Sequence, residues 1–217
     1  LGDVYKRQVK EAGKVVRISM DYNFAGENDE DIGTWITVVE SRHGAVWSRI
    51  VSEKGVSLDT EWMILQLVEE LEVWGYRGED VVLRSDQEGA IEAVKKKVAE
   101  LRVGRTMMDE TPVGESNANG RAEDAGKRVR DQARVLKDQV EHKCGGKVDL
   151  GSDVMQWLVR WAAMVVTRYK RGSDGRTPWE RMRGSRCKAE VVPFGETVWY
   201  KVMKKSGERP VSYTHLT

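Results

Sequence analysis

The chain has 217 residues, of which 40 % are hydrophobic, enough for one domain of ordinary size with a real core and a small appendage. A formal net charge of +1 excludes a uniformly nucleic-acid-seeking protein, and two cysteines and three histidines, widely scattered, exclude a zinc framework or a disulfide scaffold. Positive charge is local instead, gathered in 121–143 and 168–188. The cysteine usage fits a reducing, intracellular setting. No signal peptide precedes the first strand, and the longest apolar helical run, Val154 to Val166, is broken by Gln156 and Arg160 and is too short to span a bilayer.

Taken in order, Lys14 to Met20 is short and β-branched, the pattern of a buried strand that delivers Asp21 at its end. After the polar turn AGENDED, the strings TWITVVES and GAVWSRIVS read as two strands joined in a hairpin at Arg42-His43-Gly44. Asp59 is the expected N-cap of a helix over 60–74, with Trp62, Leu65, Val68 and Leu71 toward the core and Gly75 as its stop. A fourth strand ends in Asp86. A helix from about Gln87 to Arg102 follows, with Ile91, Val94, Val98 and Leu101 on one face, and Arg105 to Met108 is a short fifth strand.

A polar loop, Thr111 onward, runs into a helix over about 119–142. Its inward stripe is Ala122, Ala125, Val129, Ala133, Leu136 and Val140. A second stripe, rotated by about 100°, holds Glu123, Lys127, Arg130, Arg134 and Lys137. Cations one turn apart beside a carboxylate make a track for a phosphate backbone, while a solvated face is the plain alternative. Asn119-Gly120 lets the backbone bend beside nucleic acid, or forms a simple turn. Gly126 weakens this helix by roughly 1 kcal/mol relative to Ala. Ser152 or Asp153 caps the next helix, which runs to about Lys170 and is apolar on more than one side through Val154, Trp157, Leu158, Trp161, Met164, Val165 and Tyr169. Such a helix is either wholly internal or buried in a subunit interface. Thr177-Pro178 opens a short helix, and ETVWYKVMKK reads as one strand of a small β unit.

Two acids on strand ends, Asp21 and Asp86, and one on a helix, Glu123, can converge on a pair of divalent metal ions, which take hard oxygen ligands and act on phosphate esters. The element order, with the strings MDY, RSDQEG, ESNANGRAE and the later RYKRGSDGRTPWERMRG, resembles the catalytic core of retroviral and retrotransposon integrases. Gly120 precedes Glu123 by three residues, as the Gly of the family's NG pair does, and 36 residues separate Asp86 from Glu123, close to the family spacing. The resemblance covers roughly Lys14 to Lys201. It implies a ribonuclease H-like α/β fold, a mixed sheet of about five strands flanked by helices, with a small truncated β appendage at the C-terminus. It also implies a polynucleotidyl transferase from a retroelement Pol polyprotein that trims DNA ends and joins them to target DNA.

On that resemblance Asp21 bridges two Mg²⁺ or Mn²⁺ ions, Asp86 binds one and Glu123 the other. DNA contacts fall to Asn119, Gly120, Lys127, Arg130, Arg134 and Lys137. The partners are retroelement ends, target DNA and further copies of the chain, and the setting is nuclear when chromosomal DNA is the target. The family often places Arg directly after its Glu, where this chain has Asp124. A decayed or domesticated DNA-binding and assembly module, or a related ribonuclease H-like nuclease or transposase, therefore stays open as an alternative. The expected division is 14–172 for the catalytic core and 173–209 for a linker and the start of a small β unit, with 1–13 and 210–217 set aside as non-native or disordered ends.

Overall fold

A computed structural model of the protein describes residues 15–24, 33–110, 120–201 and 212–216. Strands β1 (Val16–Asn23), β2 (Trp35–Glu40), β3 (Val46–Ile50), β4 (Val81–Ser85) and β5 (Thr106–Glu110) form one sheet in the order β3-β2-β1-β4-β5. β1, β2 and β3 pair antiparallel, and β4 and β5 run parallel to β1. Helices α1 (Glu61–Val73) and α2 (Gly89–Leu101) cover one face. Helices α3 (Gly120–Cys144) and α4 (Asp153–Tyr169) cover the other. The fold is thus α/β with a mixed five-stranded sheet between helices, as in ribonuclease H-like proteins.

Period-two alternation sorts the side chains of β1 between the two layers. Val16, Ile18, Met20 and Tyr22 enter the core under α1 and α2. Ser19, Asp21 and Asn23 therefore face α3. The layer beneath α3 and α4 mixes the alanines Ala122, Ala125, Ala133, Ala162 and Ala163 with larger residues such as Val129, Leu136, Leu158 and Val166, against Trp35, Val39 and Val46 of the sheet. Small side chains let a helix axis approach the strands closely. The edge strand β3 is closed by Thr167, whose hydroxyl accepts from Val46 N at 2.8 Å and donates to Val46 O at 3.0 Å. That satisfies backbone groups an open edge would expose.

Several sequence expectations are corrected. The inward face of α1 is Met63, Ile64, Leu67, Val68 and Leu71, while Trp62 and Leu65 are 42 % and 47 % exposed. Both Met63-Ile64 and Trp62-Leu65 fit helical spacing, and only the position of the sheet decides between them. The N-cap is Thr60, not Asp59, and its hydroxyl donates to Gly55 O at 3.0 Å instead of capping the helix. In α2 the fourth inward position is Lys95, wholly buried, and Leu101 lies partly exposed. In α4 the buried residues are Met155, Leu158, Val159, Ala162, Ala163, Val166 and Thr167. Trp157 stays 50 % exposed, and Trp161 meets Phe194 edge to face at 5.9 Å.

Beyond α4, Thr177 caps α5 (Pro178–Arg183) in a full capping box with Glu180. Arg181 then donates to His43 O at 2.8 Å, and Arg183 to Val73 O at 2.7 Å. This strap lies over the β2–β3 turn and the end of α1. β6 (Thr197–Lys201) pairs antiparallel with β7 (Ser212–Leu216), which falls in the stretch that the sequence reading sets aside as a tail. Among the described residues no helix is long and apolar enough to cross a membrane.

Candidate active site

The site is built where β1 and β4 diverge. Val16 lies opposite Val81 and Ser19 opposite Arg84, an offset of 65 that Asp21 and Asp86, two residues beyond the last pair, share. Asp86 follows the last residue of β4. Asp21 lies inside β1, which runs on to Asn23 because β2 continues to pair with it, Asp21 opposite Thr37 and Asn23 opposite Trp35. Asp21 is therefore past the end of the β4 pairing without being at a strand end. Glu123 stands in the first turn of α3, on the exposed side of the helix and next to buried Ala122.

Electrostatics ties the three together. The Asp21 carboxyl is pushed up to about 7, first by burial, then by the negative charges of Asp86 and Glu123, with a smaller push from Glu88. A backbone hydrogen bond from Tyr22 offsets part of that rise. Among the described residues, no three His, Cys, Asp or Glu side chains lie close enough to hold one ion jointly. The acids thus repel one another at electrostatic range without forming a closed three-ligand cage. Carboxylates are the hard oxygen donors that Mg²⁺ and Mn²⁺ take.

At Gly126, α3 comes close to β1. A Cβ there would fall on the side-chain amide of Asn23, whose Nδ2 donates to Asp21 O at 3.3 Å. The glycine that sequence reading takes as a weakness of the helix is thus what lets α3 sit down beside Asp21. Asn23 and Lys54 escaped the sequence reading. Lys54 pairs with Glu88 at 2.8 Å and lies over the rings of Tyr22 and Phe24 at 5.2 and 5.1 Å, beside the acids. A lone lysine in a loop carries no periodic signal, and an asparagine two residues past an acid gains meaning only from the helix packed on it. Behind Asp86, Ser85 donates to Glu92 at 3.3 Å, and Glu92 pairs with buried Lys95, which reaches Asp109 O at 3.4 Å.

The basic stripe divides. Lys127, Arg130 and Arg134 make no ion pair among the described residues, whereas Lys137 is held by Glu141 at 2.6 Å. Glu141 takes the inward position expected of Val140. It also accepts from Lys147 at 2.9 Å and Val148 N at 2.9 Å, and these bonds pull its carboxyl down to about 2. Asp124, the residue after Glu123, pairs with Arg128 at 3.0 Å. Gly120 is the first residue of α3 with open space around it. Asn119 lies outside the described residues. A cavity of about 390 Å³ between α4 and the 189–194 segment includes none of the three acids.

No protein-family model and no curated protein matches the chain. Its fold is similar to that of a chain in the simian T-cell lymphotropic virus intasome, determined by electron cryomicroscopy in complex with PP2A regulatory subunit B56 gamma. The TM-score is 0.57 at 11 % identity, over 91 % of this chain and 66 % of that one. The chain therefore spans just under two thirds of the length of the chain it matches, and the likeness is one of fold: an integrase-like, ribonuclease H-like domain.

Proposed function

We propose that the protein is the catalytic core of a retroelement integrase, a polynucleotidyl transferase that trims DNA ends and joins them to target DNA. The observation that carries this reading is that Asp86 and Glu123 both come near enough to Asp21, at the divergence of β1 and β4, for their charges to raise its carboxyl. Asp21, level with Asp86 and under the first turn of α3, is the acid placed to be shared, and Asp86 and Glu123 each complete one pair. Mg²⁺ or Mn²⁺, when bound, supplies Lewis-acid stabilisation and an activated oxygen nucleophile. The chain's own part is to hold the acids, keep α3 seated through Asn23 and Gly126, and present Lys127, Arg130 and Arg134 along the path of the backbone. Nuclear action and self-association belong to the same proposal.

The test is a strand-transfer assay on an oligonucleotide duplex with Mg²⁺ or Mn²⁺, comparing the intact chain with Glu123→Gln. The intact chain is expected to give joined products only with the metal, and Glu123→Gln to lose on the order of 10³-fold in rate with duplex affinity retained, because metal-borne charge stabilisation is worth several kcal/mol. Duplex binding without any product from the intact chain would favour a non-catalytic DNA-binding module.

The stripe makes a separate expectation. Arg130→Ala combined with Arg134→Ala should flatten the plot of log duplex affinity against log salt by roughly 0.9 per lost phosphate contact. Lys137→Ala should change that slope far less, since its charge is already taken up by Glu141. Exposed cations contribute little to folding, so melting temperatures of the arginine variants should stay close to the parent's. An unaltered slope in the double variant would take α3 out of the DNA path.

A further inference from the structure

A second recess, about 150 Å³, lies between α1, β3, α4 and α5, and its walls include Trp47, Arg49, Glu70, Arg160, Arg168 and Arg183. Four guanidinium groups against one carboxylate leave it strongly positive, and it shares no residue with the acid site. The cations are held there by the fold. Arg49 is buried, donates to Gln66 Oε1 at 2.9 Å and Ser48 O at 2.8 Å, and lies over the Trp47 ring at 4.8 Å. Arg168 and Arg183 both lie over Trp179, at 5.1 and 5.4 Å. Arg160 makes no hydrogen bond or ion pair among the described residues.

Two observations point to a missing acceptor. Trp47 is 3 % exposed, and its indole N–H has no hydrogen-bond partner. A buried donor left unpaired costs about 1–3 kcal/mol, so native proteins rarely keep one. The Arg49 guanidinium is also pushed down to about 10, first by burial and then by the charge of Arg160, so the two cations oppose each other across the recess. A bound anion relieves both.

We propose that this recess binds a phosphate-type oxyanion, free or as a terminal phosphate ester. Guanidinium groups from β3, α4 and α5 approach from different sides, which suits a tetrahedral ion with several acceptor oxygens better than a planar carboxylate. A site of one water takes roughly 10–15 Å³ of such space, so the recess admits an oxyanion with a few waters. A backbone phosphate of a long nucleic acid shares this chemistry but needs an open track on both sides, which a recess framed by four elements does not offer.

The experiment is a titration of the full chain with sodium phosphate against sodium chloride at matched ionic strength, read by melting temperature and tryptophan emission. Phosphate should raise the melting temperature saturably and change the emission, and chloride should do neither. Arg160→Ala and Trp47→Phe should each weaken phosphate affinity about tenfold, the scale of one charge-assisted hydrogen bond. Arg171→Ala, an exposed cation outside the recess, should leave it unchanged. Because Trp47→Phe touches the core, its fold is checked without phosphate, and exposed Arg160 carries the test should that variant fail. No phosphate effect beyond ionic strength, or equal losses in Arg160→Ala and Arg171→Ala, would overturn the proposal. Displacement of phosphate by a duplex without terminal phosphates would also overturn it, in favour of the nucleic-acid backbone.

Discussion

Asp21→Asn is expected to melt higher than the parent at pH 8 while losing strand transfer. In the folded chain the Asp21 carboxyl is raised to about 7, whereas in the unfolded chain it returns to the ordinary aspartate value, 3.8. The folded state therefore binds the proton more tightly. The corresponding stability is fully present below the unfolded value and is lost as pH rises through about 7. Above that pH the fold carries an ionised, partly buried carboxylate facing two others. Asn keeps the shape and removes the charge. After discounting for solvent screening of a partly exposed group, the gain is about 1–2 kcal/mol at pH 8, or roughly 2–4 °C per kcal/mol in a domain of this size. Melting curves at pH 5 and pH 8 check it: the parent should lose stability between them and Asp21→Asn should lose less. A variant that melts lower at pH 8, or that keeps the full pH dependence, would show that the acid is not strained as described.

Gly126→Ala is expected to damage both stability and activity, although alanine is the better helix former by about 1 kcal/mol. The added methyl meets Asn23, so either Asn23 leaves its place beside Asp21 or α3 lifts off the sheet and carries Glu123 with it. Overpacking of this kind costs about 1–3 kcal/mol, and displacing a group that positions a ligand typically costs 10- to 100-fold in activity, as an order-of-magnitude guide. Adding Asn23→Ala opens the space again and should recover most of the stability without restoring full activity. Thermal melts of the two single variants and the double variant measure this. A Gly126→Ala chain that is more stable and equally active would show that α3 does not approach β1 as closely as drawn.

The order of strands and helices was legible because each depends on a local pattern: β-branched runs for β1 to β4, apolar residues at helical spacing for α1 to α4, and the Thr177-Pro178 start of α5. The convergence of Asp21 and Asp86 follows from reading each at the end of a strand. Their common offset of 65 is a property of strand pairing that no single stretch of sequence contains. The misreadings share a cause. For Trp62 and Leu65, periodicity fixes that a helix has an inward face without fixing which of two adjacent stripes it is. In α4 the apolar residues lie on more than one side, and the stripe that packs inward is Met155, Leu158, Val159, Ala162, Ala163 and Val166, with Trp157 left half exposed. Gly126, read in isolation, is a weak point, and read against Asn23 it is a contact. Lys95 and Glu141 are charged residues in inward positions, held there by local partners, Glu92 and Lys137, together with the Asp109 carbonyl and Lys147, and helical spacing alone reads such i,i+3 and i,i+4 pairs as a solvated face.

The central claim, that Asp21, Asp86 and Glu123 together hold divalent cations, is tested most directly by calorimetric titration of the chain with Mn²⁺ at pH 8. The account predicts saturable binding by the intact chain and a higher melting temperature in excess metal, since a ligand of the native state stabilises it, and weaker binding with proton release when the titration is repeated at pH 6, where the Asp21 carboxyl, raised to about 7, is mostly protonated. It further predicts weakened binding in both Asp21→Asn and Glu123→Gln. Absence of saturable binding, or equal binding by the intact chain and Glu123→Gln, would contradict it.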